Sequence, residues 1–91
     1  MSAHEATFEI MNELGLHARA ATKLVQLASR FAAEIELEKD GQRANAKSVM
    51  GVLLLCGGRG TRLTVVARGG DARAAVDSLG ALIQDRFGEE K

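Results

Sequence analysis

At 91 residues the chain can hold one hydrophobic core, with a radius of gyration of about 12 Å by the scaling for compact domains. Its 12 Lys+Arg balance 12 Asp+Glu and it has no Tyr or Trp, which argues against binding nucleic acid or an anionic membrane by bulk attraction or base stacking. Cys56 is the only cysteine, which excludes a disulfide framework and a cysteine-based zinc site, and proline is absent.

The segment Met1 to Ile10 carries Glu5 and Glu9 and lacks the apolar run of a signal peptide. The longest apolar stretch, Val49 to Cys56, falls well short of the roughly 20 residues that a membrane helix needs. Together these features predict a soluble cytoplasmic protein with no membrane insertion, folded as one domain over 1–91.

Along the chain, Glu5 to Met11 alternates with period two, Ala6, Phe8 and Ile10 forming the apolar set of a first strand. A helical stripe follows over Ala18 to Phe31, made by Ala20, Leu24, Leu27, Ala28 and Phe31. In Glu34 to Glu38, Ile35 and Leu37 sit between three glutamates as a half-buried strand, and Asp40-Gly41 then signals a tight hairpin into a short edge strand, Gln42 to Ala46. The run Ser48 to Cys56 is apolar all round. Periodicity leaves strand and helix open there, and Ser48 as N-cap with Gly57-Gly58 as a stop favours a short helix. Cys56, ending that run, reads as a small buried hydrophobe, and Cys56 to Gly60 as a connector. Arg62 to Arg68 points Leu63, Val65 and Ala67 one way as the last strand. Asp71 to Phe87 forms the last helix, with Val76, Leu79, Ile83 and Phe87 on its apolar face, Asp71 at its start and Arg86 in its last turn. The order β-α-β-β-α-β-α predicts an α+β fold, with helices covering one face of an antiparallel sheet.

The first helix breaks a rule that the last one obeys. It opens Gly15-Leu16-His17-Ala18-Arg19, with Lys23 one turn on and no acidic residue between Gly15 and Glu34. Exposed cations at the positive end of a helix dipole cost about 0.3–1 kcal/mol each. An anion visiting that end would remove the penalty, since unpaired backbone amides, the dipole and two cationic side chains make an anion site. His17 would sit in it, and a neutral imidazole is a nucleophile near pH 7. Were it to attack a phosphoryl group, the amides and Arg19 would meet the arriving charge. The competing reading of the same residues is a surface histidine that merely begins a helix. Likewise Ser48 is either an ordinary cap or a hydroxyl placed where a phosphate is tolerated, and the apolar run after it is either core or a docking face. No metal set, phosphate loop or Ser-His-Asp spacing is evident.

At Gly15-Leu16-His17-Ala18-Arg19 and at Asn45-Ala46-Lys47-Ser48-Val49-Met50-Gly51-Val52 the chain resembles the HPr family of histidine phosphocarriers, from the bacterial phosphoenolpyruvate-dependent phosphotransferase system (PTS). The resemblance implies an open-faced β-sandwich: a four-stranded antiparallel sheet of order 1-4-2-3 covered on one face by three helices. It implies that His17 accepts a phosphoryl group from enzyme I on Nδ1, giving pros-phosphohistidine, and donates it to a IIA domain in sugar transport. Arg19 falls on the active-site arginine, and the amides of Ala18 and Arg19 on the phosphate cradle. Ser48 falls on the serine that an HPr kinase/phosphorylase modifies for regulation, while Lys23, Lys47, Val49, Met50 and Leu53 fall on the partner-docking surface. The family implies a monomer and no cofactor or metal. Most relatives have proline after the motif arginine where this chain has Ala20, which is more similar to carriers of the nitrogen-regulatory branch or to those of bacteria with few sugar permeases. A mainly regulatory module and a free-standing hydrolase or transferase are the other readings; no general base or metal set supports the last.

The sheet order also predicts where the charges go. Arg62 and Arg68 should share the wet face with Glu5, Glu9, Glu34, Glu36 and Glu38, leaving the His17 end cationic through Arg19, Lys23 and Lys47.

Overall fold

Alternating strands can bury one face only if something apolar covers it, and here two long helices and a short one do so. A computed structural model describes residues 2–91; Met1, the first residue of the segment read above for a leader, lies outside them. The elements are β1 (Ala3–Glu9), α1 (Ala18–Ala28), β2 (Glu34–Lys39), β3 (Gln42–Asn45), α2 (Val49–Leu54), β4 (Arg62–Arg68) and α3 (Ala72–Gln84). The four strands form one antiparallel sheet of order β1-β4-β2-β3 with the helices on one face, and the radius of gyration is 11.6 Å. Ile35, Leu37, Leu63, Val65 and Ala67 point from the sheet into the core and meet Leu24, Val76, Leu79 and Ile83 from the helices. Helix α3 lies so close to β1 that a Cβ at Gly80 would come within 2.2 Å of the Phe8 ring.

Residue pairing puts the predicted charges on one side of the sheet. Glu9 stands across from Arg62, while Arg68 is flanked by Ala3 and Glu34; Glu5 and Glu36 both oppose Val66. Glu36 pairs with Arg68 at 3.4 Å and with Arg43 at 3.6 Å, and Arg43 also reaches Glu38 at 3.2 Å. These pairs are exposed, so each contributes about 0–1 kcal/mol and mainly keeps the wet face evenly charged. Asp40 and Gly41 take φ of +49° and +82° in the two-residue turn between β2 and β3, as the hairpin signal predicts.

The helix ends differ from the sequence reading, each for a local reason. Helix α1 stops at Ala28: Ser29 still bonds Val25 O, and the ladder then changes as Arg30 and Phe31 close tighter turns onto Leu27 and Ala28. Helix α3 ends at Gln84, and Arg86 and Phe87 lie beyond it with φ of +58° and +55°. Arg86 therefore does not serve the last turn of that helix. Cys56 is exposed rather than buried: it takes φ +53° in the left-handed position that ends α2. Gly57, next in line, is needed elsewhere, since a Cβ there would press within 2.8 Å of Ile10 and 2.9 Å of Leu16.

Asp71 starts α3 without capping it. Its carboxylate instead accepts the amides of Ala32 and Ala33, both at 2.8 Å, tying α3 to the α1–β2 connection. The Ala32 bond, followed by the Ala33 bond, holds the Asp71 carboxyl below its ordinary value of 3.8 against the opposing effect of desolvation. A depressed folded-state pKa stabilises the fold above the unfolded value and loses that contribution as pH falls through the folded one. Asp71→Asn is therefore expected to lower the thermal midpoint at pH 7, with the gap to wild type closing below pH 3.8. Melting curves across that range test this, and a gap independent of pH contradicts it.

Candidate functional site

Leu16 donates its amide to Gly57 O at 2.8 Å, and Gly15, at φ +64°, turns the chain so that His17 arrives as the N-cap of α1. His17 is extended (φ −72°, ψ 174°), and its carbonyl accepts the Ala21 amide at 2.9 Å. Its side chain makes no capping bond, and the first turn holds no acidic residue. The amides of Ala18 and Arg19 thus open the helix without a side-chain acceptor from it, beside the imidazole. The His17 side chain is 27% exposed, and Arg19, itself exposed, lines the same open pocket of about 540 Å³.

The anion that the helix start lacks comes from the other end of the chain. Glu89 Oε2 contacts His17 Nε2, and Glu89 Oε1 accepts the Asn12 side-chain amide at 2.9 Å. The chain reaches this position through consecutive left-handed residues Arg86, Phe87 and Gly88. Left-handed backbone costs about 1–2 kcal/mol at each non-glycine residue. Complete burial of Phe87 offsets this by about 1.5–3 kcal/mol, and Lys23 Nζ fastens Phe87 O at 2.7 Å. Bonding to His17 is the main cause that holds the Glu89 carboxyl below its ordinary range; Asn12 adds to it, and desolvation opposes both.

Electrostatically, then, this end is mixed rather than simply cationic. Glu13, Glu89 and Glu90 line the pocket with Arg19 and Lys91. Lys23 bonds Phe87 O and keeps its positive charge near Glu89, whereas Lys47 bonds Phe31 O at 2.7 Å, past the far end of α1 from His17. Lys47 therefore adds no cation at the His17 end, contrary to the expectation from sequence.

Ser48 caps α2 by accepting the Gly51 amide at 3.1 Å. The connection after α2 bonds Leu16, and Lys47, just before α2, bonds Phe31 O, so α2 runs back along α1 with Leu54 toward its His17 end and Ser48 toward its Phe31 end. Val49 and Leu53 are half-buried against the core; Met50 and Leu54, one turn apart, are 70% and 73% exposed. Leu54 was invisible to the sequence reading because a helix apolar all round does not declare its outer face.

Residues 4–85 match the family described as PTS-HPr, the PTS HPr component phosphorylation site. The chain belongs to the HPr family. It is 48% identical over 80 residues to the phosphocarrier protein HPr of Cupriavidus necator, covering 88% of this chain and 90% of that one. It is 47% identical over 89 residues to the phosphocarrier protein NPr of Shewanella violacea, covering 98% of each. Among solved structures, an HPr from Thermoanaerobacter tengcongensis superposes with a TM-score of 0.93 at 44% identity, over 97% of this chain and 99% of that one. The HPr fold, an open-faced sandwich of sheet order 1-4-2-3, is the one described above. Among the described residues no helix is long and apolar enough to cross a membrane.

Proposed function

We propose that this chain is a cytoplasmic, monomeric single-domain phosphocarrier, in which His17 accepts a phosphoryl group from phosphorylated enzyme I on Nδ1 and passes it to a histidine of a IIA domain. The observation that carries the reading is the uncapped start of α1, where His17 stands beside the open amides of Ala18 and Arg19 with no acidic residue in the first turn. Phosphoryl transfer needs positioning and charge stabilisation more than covalent assistance. The His17 lone pair forms the new N–P bond as the donor's P–N bond breaks, and the amides and the Arg19 guanidinium meet the charge on the phosphoryl oxygens. Exposed Met50 and Leu54, with Val49 and Leu53 beside them, supply an apolar surface for both partners. Incubation with enzyme I and labelled phosphoenolpyruvate tests the reading: one acid-labile, alkali-stable phosphoryl group per chain is expected, and an unlabelled wild type contradicts it.

Ser48 is the proposed regulatory site. A phosphate on its hydroxyl would face the α2 amides and add charge beside Met50 rather than at His17. An HPr kinase with ATP is expected to add an acid-stable phosphate that Ser48→Ala lacks, the variant also losing about 0.5–2 kcal/mol of capping. Label persisting in that variant rules the site out.

A nitrogen-branch carrier is the second reading, favoured by Ala20, which stands fully buried in the first turn of α1. Faster phosphorylation by a nitrogen-branch enzyme I than by a sugar-branch one supports it, and the reverse order removes it.

A further inference from the structure

Two segments far apart in the chain converge behind His17: the loop carrying Asn12, which leads into α1, and the C-terminal turn carrying Glu89. Asn12 is fully buried, and its Nδ2 donates both to Gly15 O at 2.8 Å and to Glu89 Oε1 at 2.9 Å. Its Oδ1 is buried with no partner, an uncommon condition that the two bonds of Nδ2 account for. The glutamate is delivered by two non-glycine residues held in the left-handed region, so its place is built rather than accidental.

We propose that Glu89, held by Asn12, is a positioning residue that decides which ring nitrogen of His17 takes the phosphoryl group. The proposal rests on the phosphocarrier reading above. An ionised carboxylate accepts hydrogen bonds and cannot donate them, so a neutral imidazole facing it carries its proton on Nε2. The lone pair is then on Nδ1. In the transfer, Nδ1 forms the bond to phosphorus, the electron pair of the breaking P–N bond stays with the donor's imidazole, and the Nε2 proton stays where it is. The His17 ring gains positive charge in that step, and the Glu89 carboxylate faces it at the opposite nitrogen. Lys23, also near this carboxylate, has its ammonium directed to Phe87 O, and Glu13, Glu90, Arg19 and Lys91 complete the charged lining.

Nitrogen-15 NMR of the His17 ring, at a pH where it is neutral, needs no partner protein. Wild type is expected to show the Nε2–H form alone. Glu89→Gln, whose amide oxygen still accepts, should keep that form but accept phosphoryl from enzyme I more slowly, by about 10–100-fold if the carboxylate matters as much as one behind a metal-binding histidine does. Glu89→Ala is expected to show both tautomers and, on chemical phosphorylation with phosphoramidate, to give product on Nε2 as well as Nδ1, where wild type gives Nδ1 alone. Asn12→Ala should shift the tautomers the same way; if it does not fold, the Glu89 variants, near the end of the chain, decide. A Glu89→Ala protein matching wild type in both tautomer and product overturns the positioning role and leaves the carrier reading intact. A wild type that phosphoramidate marks on Nδ1 but enzyme I leaves unlabelled overturns the carrier reading instead.

Discussion

Gly15→Ala is expected to lower the thermal midpoint by more than about 10 °C. Gly15 has φ +64°, and a Cβ built on it would lie 2.4 Å from Gly57 O and 2.9 Å from Gly58 Cα. Both are backbone atoms, so no rotamer change relieves the contact. A left-handed alanine costs about 1–2 kcal/mol, and overpacking against a fixed neighbour about 1–3 kcal/mol more. In a domain of this size each kcal/mol moves the midpoint by roughly 4–8 °C. The loop cannot simply move away, because Leu16 bonds Gly57 O and Asn12 bonds Gly15 O. Gly41→Ala isolates the conformational cost, since Gly41 has φ +82° and nothing within 4 Å of its Cβ position. It should cost about 1–2 kcal/mol. Calorimetry of the two variants checks this, and equal losses would mean that the close approach at Gly15 contributes nothing.

His17→Ala is expected to abolish labelling by enzyme I and phosphoenolpyruvate while leaving the fold in place. The ring makes no capping bond and is partly exposed, so its removal opens no core cavity. It does remove the partner of Glu89 Oε2, so the C-terminal turn should loosen while Lys23 and buried Phe87 keep it attached. Arg19→Ala should still accept label but more slowly, because the helix amides remain to hold the phosphoryl group. The readout is acid-labile radioactivity on the intact chain alongside its amide spectrum. Equal labelling of wild type and His17→Ala contradicts the assignment.

The sheet was legible from sequence because its evidence is local: Leu63, Val65 and Ala67 alternate with polar neighbours, and Asp40-Gly41 announces its turn. The position of His17 was legible for the same reason, through the uncapped, acid-free helix start. What stayed hidden depends on three-dimensional convergence. Lys47 reads as a cation of the His17 end, yet it bonds the carbonyl of Phe31, beyond the other end of α1. Cys56 ends an apolar run but takes the exposed left-handed position, since Gly57 is required for packing. Glu89 lies 72 residues from His17, joined by a left-handed turn that no periodicity encodes. One signal could have narrowed the search. A helix start with cations and no acid calls for an anion from elsewhere, and Glu89-Glu90 is one of several acidic positions, with Glu13, Asp77 and Asp85, that the sequence reading gave no role.

The balance of charge acquires a spatial meaning from this. Acids and arginines share the wet face of the sheet, and a second, smaller mixture of charge sits at His17, where Glu13, Glu89 and Glu90 line one pocket with Arg19 and Lys91. An arriving phosphoryl group would therefore enter a site that already manages one negative charge at the opposite ring nitrogen.

The central claim is that His17 carries a phosphoryl group for a partner rather than giving it to water. The most direct test is to phosphorylate the chain with enzyme I, remove enzyme I and phosphoenolpyruvate, and follow the label with and without a IIA domain. The account predicts that the label stays on His17 when the chain is alone and moves to the IIA domain when that is added. Release as inorganic phosphate at the same rate in both samples, or retention on this chain in both, would contradict it.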